Sequence, residues 1–156
     1  MTVVPLSARH PIRNFICSND TMNQWFWDIA LTYQSIGAAR TYVALDDDGK
    51  IMGFYSLCNA AFDRAEAPGR RHGLPAMIPA ILLARLAVDE QFERQGVGFA
   101  LVADAMLTAE EQARHSACMF LTVDPIDEGA RAFYAKAGFI SLRGASVMAR
   151  PVKVPV

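Results

Sequence analysis

Two short stretches of this chain carry residue types that reactions use. Gln95-Gly96-Val97-Gly98 follows an apolar run and opens onto an alanine-rich amphipathic segment. A strand, a tight glycine turn and a helix start present backbone N–H groups and the positive end of a helix dipole to one point, and an anion is drawn to that point. Further along, Phe133-Tyr134-Ala135-Lys136-Ala137-Gly138-Phe139 puts a phenol on a second helical segment. A phenol of pKa about 10 stays protonated at neutral pH and can serve as a proton donor. Each stretch also has an ordinary meaning: a glycine pair before a helix is often just a turn, and an aromatic pair at helical spacing anchors a core. The familiar nucleotide loops fail on spacing. A Rossmann loop needs a third glycine where Leu101 stands, and a P-loop needs Gly-Lys-Ser/Thr where the chain has Gly98-Phe99-Ala100.

The elements that hold these stretches follow from periodicity. Asn19 or Asp20 caps a first helix that lines up Met22, Trp25, Phe26, Ile29, Ala30 and Tyr33 as a core stripe and stops near Gly37. Thr41 to Leu45 and Ile51 to Cys58 are β-rich runs joined through Asp46-Asp47-Asp48-Gly49-Lys50, whose Asp-Gly is hairpin chemistry. Ala61 to Pro79, rich in Pro, Gly and Arg, reads as a long loop, and long loops in compact domains are often functional. Ala80 to Val88 has the length and apolarity of a buried strand, interrupted by Arg85. Beyond the glycine loop, Ala100 to Ala113 carries Leu101, Ala105, Met106 and Ala109 on one helical face. Cys118 to Val123 is a further strand, and Asp127 caps a helix with Ala130, Phe133, Tyr134 and Ala137 inward and Gly138 at its end. Phe139 to Leu142 and Val147 to Arg150 are closing strands. This order predicts an α/β chain with helices around one mixed sheet.

Composition narrows the chemistry. The 156 residues suit a single domain over 1–156, and 53% hydrophobic residues are enough to build its core. The apolar runs fall short of the roughly 20 residues that span a bilayer, and Met1 to Pro11 lacks the form of a secretory signal, so a cytoplasmic protein without a membrane is expected. Cys17, Cys58 and Cys118 form no CxxC and cannot pair evenly, and His10, His72 and His115 lack ligand spacing, so no metal is expected. A net charge of −1 gives no general basis for binding nucleic acid, so any polyanion site must be a local patch.

Taken together, the two motifs resemble the GNAT superfamily of N-acetyltransferases. Leu86-Ala87-Val88-Asp89 with Arg94-Gln95-Gly96-Val97-Gly98 is similar to its acetyl-CoA motif, and Ala130-x-x-Phe133-Tyr134-x-Lys136-x-Gly138-Phe139 to its thiol-side helix. The resemblance implies the GNAT acyl-CoA N-acyltransferase fold, with a central splayed sheet flanked by helices. It also implies that the amides of Arg94, Gln95, Gly96, Val97, Gly98 and Phe99 bind the pyrophosphate of acetyl-CoA. Leu86, Ala87 and Val88 would lend backbone hydrogen bonds to the pantetheine arm, the Val88 N–H would polarise the thioester carbonyl, and Tyr134 would be the general acid. One departure is Glu93, where the family usually carries Gln or Arg; beside a pyrophosphate this carboxylate must face solvent.

The resemblance extends over nearly the whole chain. Leu6-Ser7-Ala8-Arg9-His10, Phe15-Ile16-Cys17, the Trp25 helix, Ala39-Arg40-Thr41-Tyr42-Val43 and Leu83-Ala84-Arg85-Leu86-Ala87-Val88-Asp89 are similar to the GNAT toxins of bacterial type II toxin–antitoxin systems. That branch implies acetylation of the α-amino group of aminoacyl-tRNA, a block to translation, a ribbon-helix-helix antitoxin and a homodimer. Arg40, Arg70, Arg71 and Arg85 are the candidate phosphate patch for such a substrate, although a solvated loop explains the same residues. Two other readings stand beside it: a housekeeping acetyltransferase acting on a small amine or protein N-terminus, and a catalytically silent acetyl-CoA-binding module. No residue declares itself a general base; Asp89, Glu90 and Asp124 are the candidates.

Overall fold

A computed structural model describes residues 1–155. Strands β1 (Thr2–Pro5), β2 (Arg40–Leu45), β3 (Ile51–Asp63), β4 (Met77–Val88), β5 (Phe120–Val123), β6 (Ile140–Ser141) and β7 (Met148–Pro151) form one mixed sheet in the order β1-β2-β3-β4-β5-β7-β6. The helices are α1 (Asp20–Asp28), α2 (Ala30–Ile36), α3 (Val97–His115) and α4 (Glu128–Lys136). β1 to β3 run as an antiparallel meander, β4 and β5 pair in parallel, and β7 pairs antiparallel to both β5 and β6. The α/β class expected from the pattern is the one observed.

By its contacts the chain divides into two compact units: residues 1–58 with 84–105, and residues 59–83 with 106–156. The first is built on an aromatic core. Phe26 stacks on Phe54 at 4.1 Å, and Phe15 meets both rings edge-on at 5.1 and 5.3 Å. The second packs Phe62, Ile78, Phe120, Leu142 and Ala149 together. Local signals set the element ends. The Asn19 side chain accepts from the Met22 N–H and that of Asp127 from the Ala130 N–H, caps worth about 1 kcal/mol each.

Several boundaries differ from the sequence reading. β1 was not anticipated; it is an edge strand only four residues long, and its order comes from pairing with β2 rather than from its own pattern. The expected single first helix is two, broken at Ile29, where φ is −117°. The stripe is core at Phe26 and Ala30, but Ile29 and Tyr33 are 37% and 39% exposed. β3 runs on to Asp63 and β4 begins at Met77, so the connection expected over Ala61 to Pro79 shrinks to residues 64–76. Pairing across the sheet recruited both ends of that loop.

Candidate active site

The glycine loop is held from below by the first unit's own backbone. Asp89 ends β4 and is 6% exposed. One carboxylate oxygen accepts from the Gln91 N–H at 2.8 Å and caps a short 3-10 turn over residues 90–92. The other accepts from the Ile16 N–H at 3.0 Å, while the Glu90 N–H donates to the Ile16 carbonyl at 2.9 Å. The segment around Ile16 is fixed in turn. The buried Asn23 side chain accepts from the Cys17 N–H and donates to the Cys17 carbonyl, and Trp27 Nε1 donates to the Phe15 carbonyl. Asp89 is therefore a structural clamp, each of its carboxylate oxygens accepting one backbone N–H. Glu90 is exposed, and Asp124 accepts from the Ser146 hydroxyl.

Past this clamp the chain alternates hand. Arg94 has φ 61° and Gly96 φ 80°, with the residue between them outside the positive range, an alternation that turns successive amides into a concave nest. Helix α3 then starts at Val97, and its first intrahelical bond runs from Ala100 N–H to the Gly96 carbonyl at 3.1 Å. The amides of Val97 and Gly98 precede any intrahelical acceptor, and no acidic residue stands in the first turn to compete with an incoming anion. Glu93 is exposed, as expected for a carboxylate near a bound anion. These residues fit a pyrophosphate.

One residue essential to this geometry was not singled out in the sequence. A Cβ at Gly53 in β3 would lie 2.8 Å from the Ala87 carbonyl oxygen, 2.9 Å from Leu101 Cδ1 and 3.3 Å from Val97 Cγ1. Glycine at 53 lets the start of α3 settle against the strand that precedes the loop. The available signal was a glycine inside a strand-like run, which marks a close backbone approach.

The β4·β5 ladder ends at Leu82↔Thr122, whereas β4 continues to Val88. Leu86, Ala87 and Val88 thus lie beyond the last β5 pairing, the condition under which an amide-bearing chain can add to a strand.

Tyr134 lies in the second unit, on α4. It is 7% exposed and its ring is gripped edge-on by Phe133 at 5.0 Å and Phe139 at 5.5 Å. The turn that brings Phe139 back onto it uses Gly138 at φ 93° and a bond from the Phe139 N–H to the Tyr134 carbonyl. Burial pushes the phenol up to about 12. Among the described residues its hydroxyl has no hydrogen-bond partner, yet no buried polar side-chain atom is left unsatisfied, so the hydroxyl is within reach of solvent rather than sealed in the core.

The four arginines of the expected patch do not form one group within a unit. Arg70 and Arg71 belong to the second, where Arg71 is partly spent on the Ala65 carbonyl; Arg40 and Arg85 belong to the first. Arg40 donates to the Gln34 carbonyl, whereas Arg85 stacks over the Trp25 ring at 4.5 Å. No group of three or more His, Cys, Asp or Glu among the described residues could hold a metal ion, and no helix there is long and apolar enough to cross a membrane.

Comparison with known proteins bears on this geometry. The family described as acetyltransferase (GNAT) matches residues 9–139. A tRNA-acetylating toxin of Mycobacterium tuberculosis (strain ATCC 25618 / H37Rv) is 31% identical over 135 residues, which is 86% of this chain and 81% of the toxin. The structure of AtaT complexed with acetyl-methionyl-tRNAfMet superposes with a TM-score of 0.91 at 27% identity, covering 96% of this chain and 94% of AtaT. A tyrosine-to-phenylalanine mutant of AtaT bound to acetyl-CoA and to the C-terminus of the antitoxin AtaR superposes with a TM-score of 0.84 at 26% identity, over 97% of this chain and 92% of the other.

Proposed function

This chain belongs to the GNAT acetyltransferase family, enzymes whose acetyl donor is acetyl-CoA, and from that premise we propose that it acetylates the α-amino group of aminoacyl-tRNA and so blocks translation. The observation that carries this reading is the 0.91 TM-score over 96% of the chain to AtaT, a protein solved with its acetylated charged tRNA. It acts in the cytoplasm, where charged tRNA is found, as one acetyltransferase domain over residues 1–156. Its partners are a ribbon-helix-helix antitoxin that holds it inactive and a second copy of itself.

Each residue then has a defined task. The amides from Arg94 to Phe99 grip the pyrophosphate. The backbone of Leu86, Ala87 and Val88 aligns the pantetheine amides, and the Val88 N–H polarises the thioester carbonyl as the amine nitrogen attacks its carbon. As the C–S bond breaks, Tyr134 gives its phenolic proton to the leaving sulfur and is reprotonated from solvent. The amine loses its proton to water. An α-amino group of pKa about 7.7–8.0 is already partly free at neutral pH, so the reaction does not require a side-chain base.

The test is direct. Purified protein is incubated with radiolabelled acetyl-CoA and charged tRNA, and expression without an antitoxin is followed by growth. Label in the RNA fraction, lost when the tRNA is deacylated beforehand, together with growth arrest supports the reading. Label only in small amines or protein N-termini would refute it.

A further inference from the structure

Most arginines in this chain spend their guanidinium on a carbonyl, a hydroxyl or a carboxylate. Among the described residues, Arg9, Arg70, Arg85 and Arg94 alone show no hydrogen bond or ion pair, and Arg9, Arg70 and Arg94 are exposed, so water satisfies them. Arg85 is only half-buried, with desolvation pulling its pKa down; among the described residues its N–H groups meet no protein acceptor, and they reach solvent.

Its place is set by an aromatic cluster. The guanidinium lies 4.5 Å from the centroid of the Trp25 ring. Trp25 is backed by Phe54 in a stack at 6.2 Å and held edge-on by Tyr33 at 6.1 Å. Placed over the indole, the guanidinium keeps N–H groups open to solvent, and its planar fork suits bidentate capture of a tetrahedral or planar oxyanion. Arg85 sits on the stretch of β4 past the last β5 pairing, three residues before Val88, and at the rise of a strand it stands about 10 Å upstream of it. The donor's pantetheine arm is assigned to Leu86 through Val88 and its pyrophosphate beyond Val88, so Arg85 stands at the end of this stretch remote from the pyrophosphate, the side from which the acceptor approaches. Resting on the proposed function, the acceptor's α-carboxyl is esterified to ribose, so the oxyanions that every charged tRNA brings are backbone phosphates.

We infer that Arg85, held over Trp25, binds a backbone phosphate at the 3′ end of the aminoacyl-tRNA and positions the acceptor rather than the acetyl donor. This separates Arg85 from Arg70 and Arg71, whose exposed loop suits contacts that are tolerant of position.

The experiment compares Arg85→Gln and Arg85→Lys in the full chain on three acceptors: charged tRNA, an aminoacylated CCA trinucleotide and an aminoacyl-adenosine without phosphate. Coenzyme A affinity is measured alongside by calorimetry. For Arg85→Gln the KM for the first two acceptors rises about 10- to 100-fold, the loss expected for a charge-assisted pair. The aminoacyl-adenosine and coenzyme A values stay within about threefold of the parent. Arg85→Lys recovers part of the loss, since it keeps the charge without the planar fork. An unchanged KM for charged tRNA, an equal loss on aminoacyl-adenosine, or weaker coenzyme A binding would each overturn the inference while leaving the tRNA reading intact. Failure of the parent protein to acetylate charged tRNA overturns that reading and this inference with it.

Discussion

Tyr134→Phe removes one oxygen and leaves the ring. Phe133 and Phe139 touch that ring at 5.0 and 5.5 Å and do not depend on the hydroxyl, which has no hydrogen-bond partner among the described residues. Stability at pH 7 should therefore change by less than about 0.5 kcal/mol. Turnover should fall by about 10²- to 10⁴-fold, the usual worth of a positioned proton donor. The pH dependence is the sharper readout. With the phenol pushed up to about 12 by burial, Tyr134 stays protonated through the physiological range and beyond. Measured against a thiol near 8.5, such a donor gives up its proton against about 5 kcal/mol, unless the same desolvated surroundings raise the thiol as well. It therefore serves a sulfur already developing charge and does not protonate early. The rate should rise with deprotonation of the acceptor amine near pH 8 and stay level to about pH 10, where a phenol of ordinary pKa would be half lost. The sign for stability is fixed by the same shift. A folded-state pKa raised above the unfolded value gives a contribution that is complete below pH 10 and lost as pH climbs through 12. The parent should thus lose about 3 kcal/mol across that window that the Phe variant keeps. Steady-state rates on charged tRNA from pH 6 to 10, with chemical denaturation from pH 8 to 12, decide the matter. A Phe variant within threefold of the parent, or a falling limb centred at pH 9 that the variant abolishes, would refute the reasoning.

Three further outcomes follow from particular contacts. Gly53→Ala inserts a methyl 2.8 Å from the Ala87 carbonyl and 2.9 Å from Leu101 Cδ1, so it should cost about 1–3 kcal/mol in denaturant melts and weaken coenzyme A binding in calorimetry as the start of α3 shifts. Asp89→Asn sets an amide N–H against the N–H of Gln91 or Ile16, and a loss of about 1–3 kcal/mol with reduced coenzyme A affinity is expected; unchanged melting would show that the clamp is dispensable. Charge reversal at Arg70 and Arg71 should raise the KM for charged tRNA much more than that for acetyl-CoA, and should flatten the salt dependence of tRNA acetylation. Equal activity in variant and parent counts against that patch.

Much of this protein was legible as a sequence because the signals concerned act over a few residues. The caps at Asn19 and Asp127, the left-handed glycines at 49 and 138, and the buried face of α3 at Leu101, Ala105 and Ala109 depend on side chains meeting their own backbone or repeating at helical period. The tight glycine turn ahead of α3 is equally local, with Gly96 at φ 80°. Features assembled from distant parts of the chain stayed hidden. β1 exists because Val3 and Val4 find Ala44 and Val43, and β3 reaches Asp63 through its place in the sheet. Gly53 matters because α3 arrives over it, Asp89 because Ile16 comes to meet it, and Arg85 because Trp25 lies beneath it. A linear pattern states what each residue can offer; burial, desolvation and the neighbours a side chain meets arise only when segments tens of residues apart pack together.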